Sequence, residues 1–400
     1  MSTKPLNFLC ISTFFKGQDF LKACKADGNN VFLLTKKSLQ HEQWPWDSID
    51  EVMYIDEWID DHVKNTIAYK FRFIKFDRFV ALDDFDVEKV ASLREHFRMP
   101  GMGESTSRFF RDKLAMRVMS RASGIPVPDF TPLFNDEEIN HFADTVAAPW
   151  LIKPRLEASA TGIRKIHSKE DLWKIVNELG DLRQYYLIEK FAPGHVYHVD
   201  SLSFGGKVIF SRVSQYLDTP FEVAHSGGIF RSHTIEIGTP EEKALTKMNK
   251  DVKKAFGLQF GASHTEFIRS KETGEIFFLE TSSRVGGANL AEMVEAASGI
   301  NLWGEWANIE SATFHGTDYS LPKVKKLYSG IVVSLSRYEH PDSSSFTDNE
   351  IVWKMNKPWH IGLIVASDSK DRVLELLDQY TRRISEEFHA SLPARDKTVN

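Results

Sequence analysis

Residues 263–290 read "SHTEFIRSKETGEIFFLETSSRVGGANL". Two runs rich in aromatic and β-branched residues flank "KETG", a turn signal, so the stretch reads as a β-hairpin. A three-residue loop, Glu272-Thr273-Gly274, puts Gly274 in the left-handed conformation that such loops need and pairs Lys271 with Glu275. Counting outward, Glu266 falls directly opposite Glu280. On that register His264, Glu266, Ile268, Ile276, Phe278 and Glu280 share one face, with Thr265, Phe267, Phe277 and Leu279 on the other. Opposed β-carbons lie about 4.5–5.5 Å apart, and like charges there repel. Two facing carboxylates fit a site for Mg2+, which binds through one or two carboxylates plus substrate phosphates. A four-residue loop would slip the register by one and send the glutamates to opposite faces.

Other stretches carry the same chemistry. Lys153 ends the strand-like "WLIK" and precedes residues 158–162, "ASATG", which are small enough for backbone N–H groups to wrap a phosphate. Lys113 lies in the helical "RDKLAMR". The strand "YYLIEK" ends beside Glu189, and the loop after it can present backbone groups to an adenine edge. Arg284 offers planar donors for phosphate or carboxylate. Taken singly, each of these is equally well a solvated charge or a plain loop.

The first hundred residues alternate strand and helix, with strands at 6–12, 31–35, 51–55 and 78–82, as in a parallel α/β unit. No G-x-G-x-x-G follows the first strand, which argues against a nicotinamide site. Residues 107–124 read as one helix with Phe110, Leu114 and Val118 on its apolar stripe. Residues 195–216 read as a hairpin turning at Gly205–Gly206. Residues 239–257 form a helix opened by the capping box Thr239-Pro240-Glu241-Glu242. Between them, residues 222–238 read as a glycine-hinged loop joining two edge strands, with His225, Arg231 and His233 at its tips. Such a loop can bind a substrate carboxylate or shut out water, and Arg231 is the residue that would do so; a plain surface hairpin is the alternative. The tail pairs strands at 328–335 and 360–367 with a last amphipathic helix.

In that order along the chain, these residues resemble the ATP-grasp superfamily, from about Ser107 to Trp306. The resemblance implies an α/β and α+β architecture: a Rossmann-like pre-ATP-grasp domain (1–105), a two-lobed ATP-grasp domain (106–315) and a small C-terminal α+β module (316–400). It implies that Lys113 and Lys153 contact the nucleotide phosphates, that Ser159, Ala160, Thr161 and Gly162 close over them, and that Glu189, Lys190 and Phe191 meet the adenine. Glu266 and Glu280 would hold Mg2+, with Mn2+ as an alternative, and Arg284 would contact the phosphoryl group or the carboxylate being activated. Ser282 stands where many of these enzymes carry a metal-binding Asn. Val196 stands where many carry a ribose-contacting Glu, leaving His195 or His198 as the nearest substitute. The pattern Glu-x-x-x-Arg-x-Gly-Gly at Glu280 is closest to the L-amino-acid ligase branch of carboxylate–amine ligases. The implied activity uses ATP to turn a small carboxylate into an acyl phosphate that an amine attacks. A different acceptor, a small-molecule kinase and a non-catalytic ATP-binding protein stay open as alternatives.

The remaining composition narrows the partners. A net charge of −6 argues against a general nucleic-acid binder. No apolar run reaches the roughly 20 residues of a membrane span, and the first residues lack a signal-peptide pattern, so a cytoplasmic protein is expected. Cys10 and Cys24 read as reduced core thiols. Small-molecule carboxylate and amine substrates are the expected partners, with homodimer formation open.

Overall fold

The computed structural model describes residues 4–158 and 160–392. These form three sheets. The first is parallel, in the order β3-β2-β1-β4, from β1 (Asn7–Ser12), β2 (Asn30–Lys36), β3 (Glu51–Ile55) and β4 (Arg78–Ala81). Its helices are α1 (Gln18–Ala26), α2 (Asp60–Phe71) and α3 (Val87–Phe97). β1 and β4 are apolar on both faces, as strands covered on both sides must be. Cys10 and Cys24 sit in this core as free, buried thiols, and burial pushes both thiols up.

The second sheet is antiparallel, in the order β5-β8-β6-β7: β5 (Phe130–Pro132), β6 (Trp150–Pro154), β7 (Arg164–Ile166) and β8 (Tyr186–Lys190). The region 107–124 that leads into it is not one helix. A short α4 (Glu104–Ser107) and a 3-10 turn end at Arg111, and α5 (Lys113–Ala122) starts afresh because the Asp112 side chain caps the amides of Leu114 and Ala115. The restart rotates the apolar stripe: Leu114, Met116 and Ser120 face inward and Val118 faces solvent. Helices α6 (Asp136–Thr145) and α7 (Lys169–Leu179) cover one face of this sheet through Ile139, Phe142, Leu172 and Val176.

The third sheet is built on β9 (Gly194–Phe204), β10 (Lys207–Tyr216), β11 (Phe230–Thr234), β12 (Gly261–Ser270) and β13 (Ile276–Ser282). It continues through β14 (Tyr328–Ser336), β15 (Ile351–Lys354) and β16 (His360–Ser367), in the order β13-β12-β9-β10-β11-β14-β16-β15. A short β17 (His389–Ala390) pairs with β14. The tail strands therefore extend the large sheet, because β14 hydrogen-bonds to β11.

Residues 222–238 are not a loop between edge strands. Thr219 and Glu222 form a reciprocal capping box that opens α8 (Pro220–Ser226), and β11 then pairs on both sides, with β10 and β14. The box expected at Thr239 is only half made: Thr239 caps α9 (Pro240–Phe256), but Glu242 accepts from Gly238. Helices α10 (Leu290–Ser298), α11 (Leu302–His315) and α12 (Lys370–Glu387) complete the fold. Trp306 of α11 meets Phe20 of α1 edge-on at 5.1 Å, and a buried Arg78–Glu310 ion pair joins the first sheet to α11.

Candidate active site

The β12–β13 hairpin has a four-residue loop, since Ser270 and Glu275 close it through their backbones. The register beside the turn is accordingly one residue off the expected one: Arg269 faces Ile276 and Phe267 faces Phe278. A β-bulge at Leu279 then absorbs the slip, so Glu266 still faces Glu280. Two contacts sustain the bulge. Phe278 donates its amide to the Pro126 carbonyl at 2.9 Å, and Arg117 donates to the Leu279 carbonyl. The faces of residues 276–279 are exchanged relative to the expected ones. Phe278 packs with Phe267 in the core, whereas Phe277 and Leu279 lie with Ile268.

Glu266 and Glu280 line a cavity of about 730 Å³ between the second and third sheets, walled at one end by the first. Lys113, Lys153, Ala160, Thr161, Glu189, Lys190, Phe191, Ser282 and Arg284 also line it. Ser159 lies outside the described residues. Ala160 and Gly162 both adopt left-handed backbone, φ 56° and 68°, on either side of Thr161, which lines the cavity with Ala160.

The positive charges are set by neighbouring carboxylates. Lys113 Nζ contacts Glu280 at 2.9 Å and the Glu157 carbonyl at 2.6 Å. Lys153 Nζ pairs with Glu189, whose other oxygen meets Arg117 at 2.9 Å. Burial alone would raise the Glu189 carboxyl, but Arg117 and Lys153 hold it below its usual value. Burial lowers Lys153, partly offset by Glu189. Glu189 is thus an ion-pair brace whose carboxylate is occupied by two cations. The amides of Lys190 and Phe191 are likewise engaged, donating to the Asp129 and Pro149 carbonyls, so an adenine edge would meet other atoms of these residues.

Glu266 is held by the Tyr216 hydroxyl at 2.8 Å and faces His264 Nε2 at 3.6 Å. Burial opposes its charge, but His264 and Tyr216 keep it ionised below its usual range. Burial would lower His264, yet Asp200 at 2.8 Å raises it to about 9. Gly286 is required here: a Cβ would come within 2.8 Å of Asp200 and 2.9 Å of His264. His198, Asp200 and His264 lie close enough to share an ion. However, both imidazole Nδ1 atoms face the ionised Asp200, so they act as donors and their lone pairs are not available.

Two expected site residues lie outside the cavity, and a third is turned from the position expected of it. His198 is fully buried beneath Tyr216, bonded to Asp200 and Ser232, and does not reach the cavity wall. Arg231 points away from the cavity and pairs with Asp218 at 2.7 Å and Asp378 at 3.2 Å, because β11 is an interior strand and not a loop tip. Ser282 lines the cavity, but its hydroxyl is bonded to Asp84 and not turned to Glu280. His233 is buried, and burial lowers it to about 4; His225 alone of the trio is exposed, its ring meeting the Ile163 carbonyl at 3.1 Å.

Asp84, Arg111 and Arg117 were not singled out by sequence. Burial would raise Asp84, but Arg111 at 3.0 Å and Arg284 at 3.5 Å hold it well below the carboxylate range. Its signal was "DDFD" one residue past β4, at the carboxyl end of a parallel strand, where ligands of α/β units bind. Arg117 lies four residues after Lys113, on the same helix face. The Nε of Arg284 is buried without a hydrogen-bond partner among the described residues.

No model of a known protein family matches the chain. The chain is 27% identical over 290 residues to the L-arginine-specific L-amino acid ligase of Bacillus subtilis, covering 71% of this chain and 69% of that one. The crystal structure of an L-amino acid ligase from Bacillus licheniformis superposes with a TM-score of 0.77 at 16% identity, over 98% of this chain and 100% of the other. The biotin carboxylase domain of Hydrogenobacter thermophilus 2-oxoglutarate carboxylase, solved as a dimer with MgADP, ADP and bicarbonate, superposes at 0.71 and 16% identity, over 96% and 90%. With the two sheets that enclose one charged cavity, these likenesses show the ATP-grasp fold, and in sequence the chain is similar to a carboxylate–amine ligase.

Proposed function

We propose that the chain is an ATP- and Mg2+-dependent ligase that activates a small-molecule carboxylate as an acyl phosphate for attack by an amine. One observation carries this reading: two lysines, two facing carboxylates and an arginine whose Nε has no partner among the described residues converge on one cavity. Lys113 and Lys153 would bind the ATP phosphates, and Ala160, Thr161 and Gly162 would cover them. The donor set suits Mg2+, since Glu266 and Glu280 present hard carboxylate oxygens across one ladder. Bound there with the phosphates, the ion would neutralise charge as the γ-phosphoryl group moves. Mn2+ suits the same oxygens.

In the first step a carboxylate oxygen bonds to the γ-phosphorus as the bond to the bridging oxygen breaks, releasing ADP. In the second, the amine nitrogen bonds to the acyl carbon, the acyl–oxygen bond breaks, phosphate leaves, and the nitrogen loses its proton to solvent. Arg284 would orient the reacting carboxylate and steady the charge on its oxygens. Asp84 and the Val285 carbonyl hold that guanidinium in place.

A phosphate-release screen over pairs of amino acids and small carboxylates, followed by mass spectrometry, tests the reading. The expected result is a new amide together with ADP and phosphate. A phosphorylated small molecule, or ATP binding without phosphate release from any pair, would overturn it.

A further inference from the structure

One wall of the cavity is built mainly of apolar side chains. Tyr216 and Phe230 meet edge-on at 5.7 Å, and Leu290 belongs to the same buried cluster. Phe221 and Val223 of α8 face the cavity beside them. This wall adjoins the reacting centre. The Tyr216 hydroxyl bonds Glu266 at 2.8 Å, and the Leu290 amide bonds Gly287, two residues past Val285 and three past Arg284. A carboxylate held by Arg284 would have these rings in the same cavity to receive its side chain.

The neighbouring acids are already engaged. Glu266 answers Tyr216 and His264, Asp84 answers Arg111, and Glu280 answers Lys113. Glu222, on α8 itself, completes the capping box with Thr219. A cationic side chain placed against the wall would lose its hydration and find each of these carboxylates paired; an anionic one would meet aromatic faces, with Lys165 of the lining set over the Phe191 ring and Lys165 and Lys271 both acting on Glu222.

Resting on the ligase reading above, we propose that the substrate whose carboxylate is activated bears an apolar side chain, aliphatic or aromatic, seated on Tyr216, Phe230, Leu290 and Phe221. Phe230 is the specificity-determining residue of that seat: it lines the cavity and makes no hydrogen bond through its side chain. Each methylene buried in such a pocket is worth about tenfold or more in kcat/KM.

The test measures phosphate release by the full chain with ATP and Mg2+. Leucine, methionine, phenylalanine, alanine, glutamate, lysine and arginine are each paired with one fixed amine, and fragmentation of the product identifies the residue that gave its carboxylate. Leucine, methionine or phenylalanine should exceed arginine, lysine and glutamate about tenfold or more in kcat/KM as donors. Phe230→Ala should raise KM for the apolar donor about tenfold more than it raises KM for ATP. Amide formation with charged donors ahead of apolar ones, or with all donors equal, overturns the apolar class and leaves the ligase reading standing. Phosphate release from no pair overturns both. The donor series on the unaltered protein decides the matter even if the variant misfolds.

Discussion

Glu189 and Glu280 line the same cavity and each meets a lysine, yet the two pairs are built differently. Glu189 is 1% exposed and clamped by Lys153 and Arg117 together. Glu280 is 33% exposed and, among the described residues, pairs with Lys113 alone. A buried carboxylate between two cations cannot change partners without stranding a charge, whereas one at the rim can exchange its lysine for a metal ion and let the lysine turn to a phosphate. The hairpin register offered Glu280 to a ligand and the resemblance offered Glu189; the geometry makes Glu189 an ion-pair brace and leaves Glu280 at the rim.

The largest expected effect breaks this comparison at the rim. Glu280→Gln should cut Mg2+-dependent phosphate release on the order of a thousandfold, the scale of losing a charge that stabilises the transition state. Its melting temperature should stay close to the parent's. Full turnover in that variant would remove Glu280 from the metal site. At the brace the loss should appear in stability instead: Glu189→Gln leaves Lys153 and Arg117 buried without their anion and should destabilise by about 3 kcal/mol in denaturant unfolding. An unchanged midpoint would show that the pair is not a brace.

Two histidines, His233 buried and His264 part-buried, sharpen the contrast between paired and unpaired charge. His233 is lowered to about 4, so the unfolded chain takes up a proton near pH 6.5 that the folded one refuses. Its contribution is full above pH 6.5 and is lost as pH falls toward 4, by roughly 3 kcal/mol. His264, raised to about 9 by Asp200, has the opposite sign: its contribution is full below pH 6.5 and is lost as pH rises through 9. Thermal unfolding across pH, without nucleotide or Mg2+, should show both limbs. His233→Asn should flatten the acid limb and His264→Asn the alkaline one, and a limb unmoved by its variant would contradict the assignment.

The smallest effect lies on the back of the hairpin. There Lys253 is buried against the Thr265 and Thr281 hydroxyls, and burial drives its ammonium well below the usual lysine range. Thr281→Val removes one partner and should destabilise by about 1 kcal/mol, read in the same unfolding assay. A gain in stability would mean that the hydroxyl is not needed there.

Much of the fold was legible because its signals are local. Apolar strands alternating with helices marked the first sheet, Gly205–Gly206 marked a hairpin turn, and Val373, Leu376, Leu377, Tyr380 and Ile384 marked the last helix. The opposition of Glu266 and Glu280 was reached by a wrong route, since a three-residue loop without a bulge and a four-residue loop with one give the same pairing there. The Pro126 and Arg117 contacts favour the bulged form, and neither is local in sequence. The helix at 220–226 was missed although "TPFE" has the form of the "TPEE" that was read as a cap. Arg231 was misplaced for the same reason: with the segment taken as a loop, nothing indicated that β11 would be an interior strand. His198 and Glu189 were given to the ligand because a sequence does not say which polar residues face one another in the core.

The account rests on a carboxylate becoming an acyl phosphate, and isotope transfer tests that step directly. The full chain would be given ATP, Mg2+, the best amine and the best donor acid, with both oxygens of the donor's carboxylate labelled with heavy oxygen. Mass analysis of the released phosphate should find one labelled oxygen per turnover, carried over when the acyl–oxygen bond breaks. Phosphate free of label, alongside the amide product, would contradict the account.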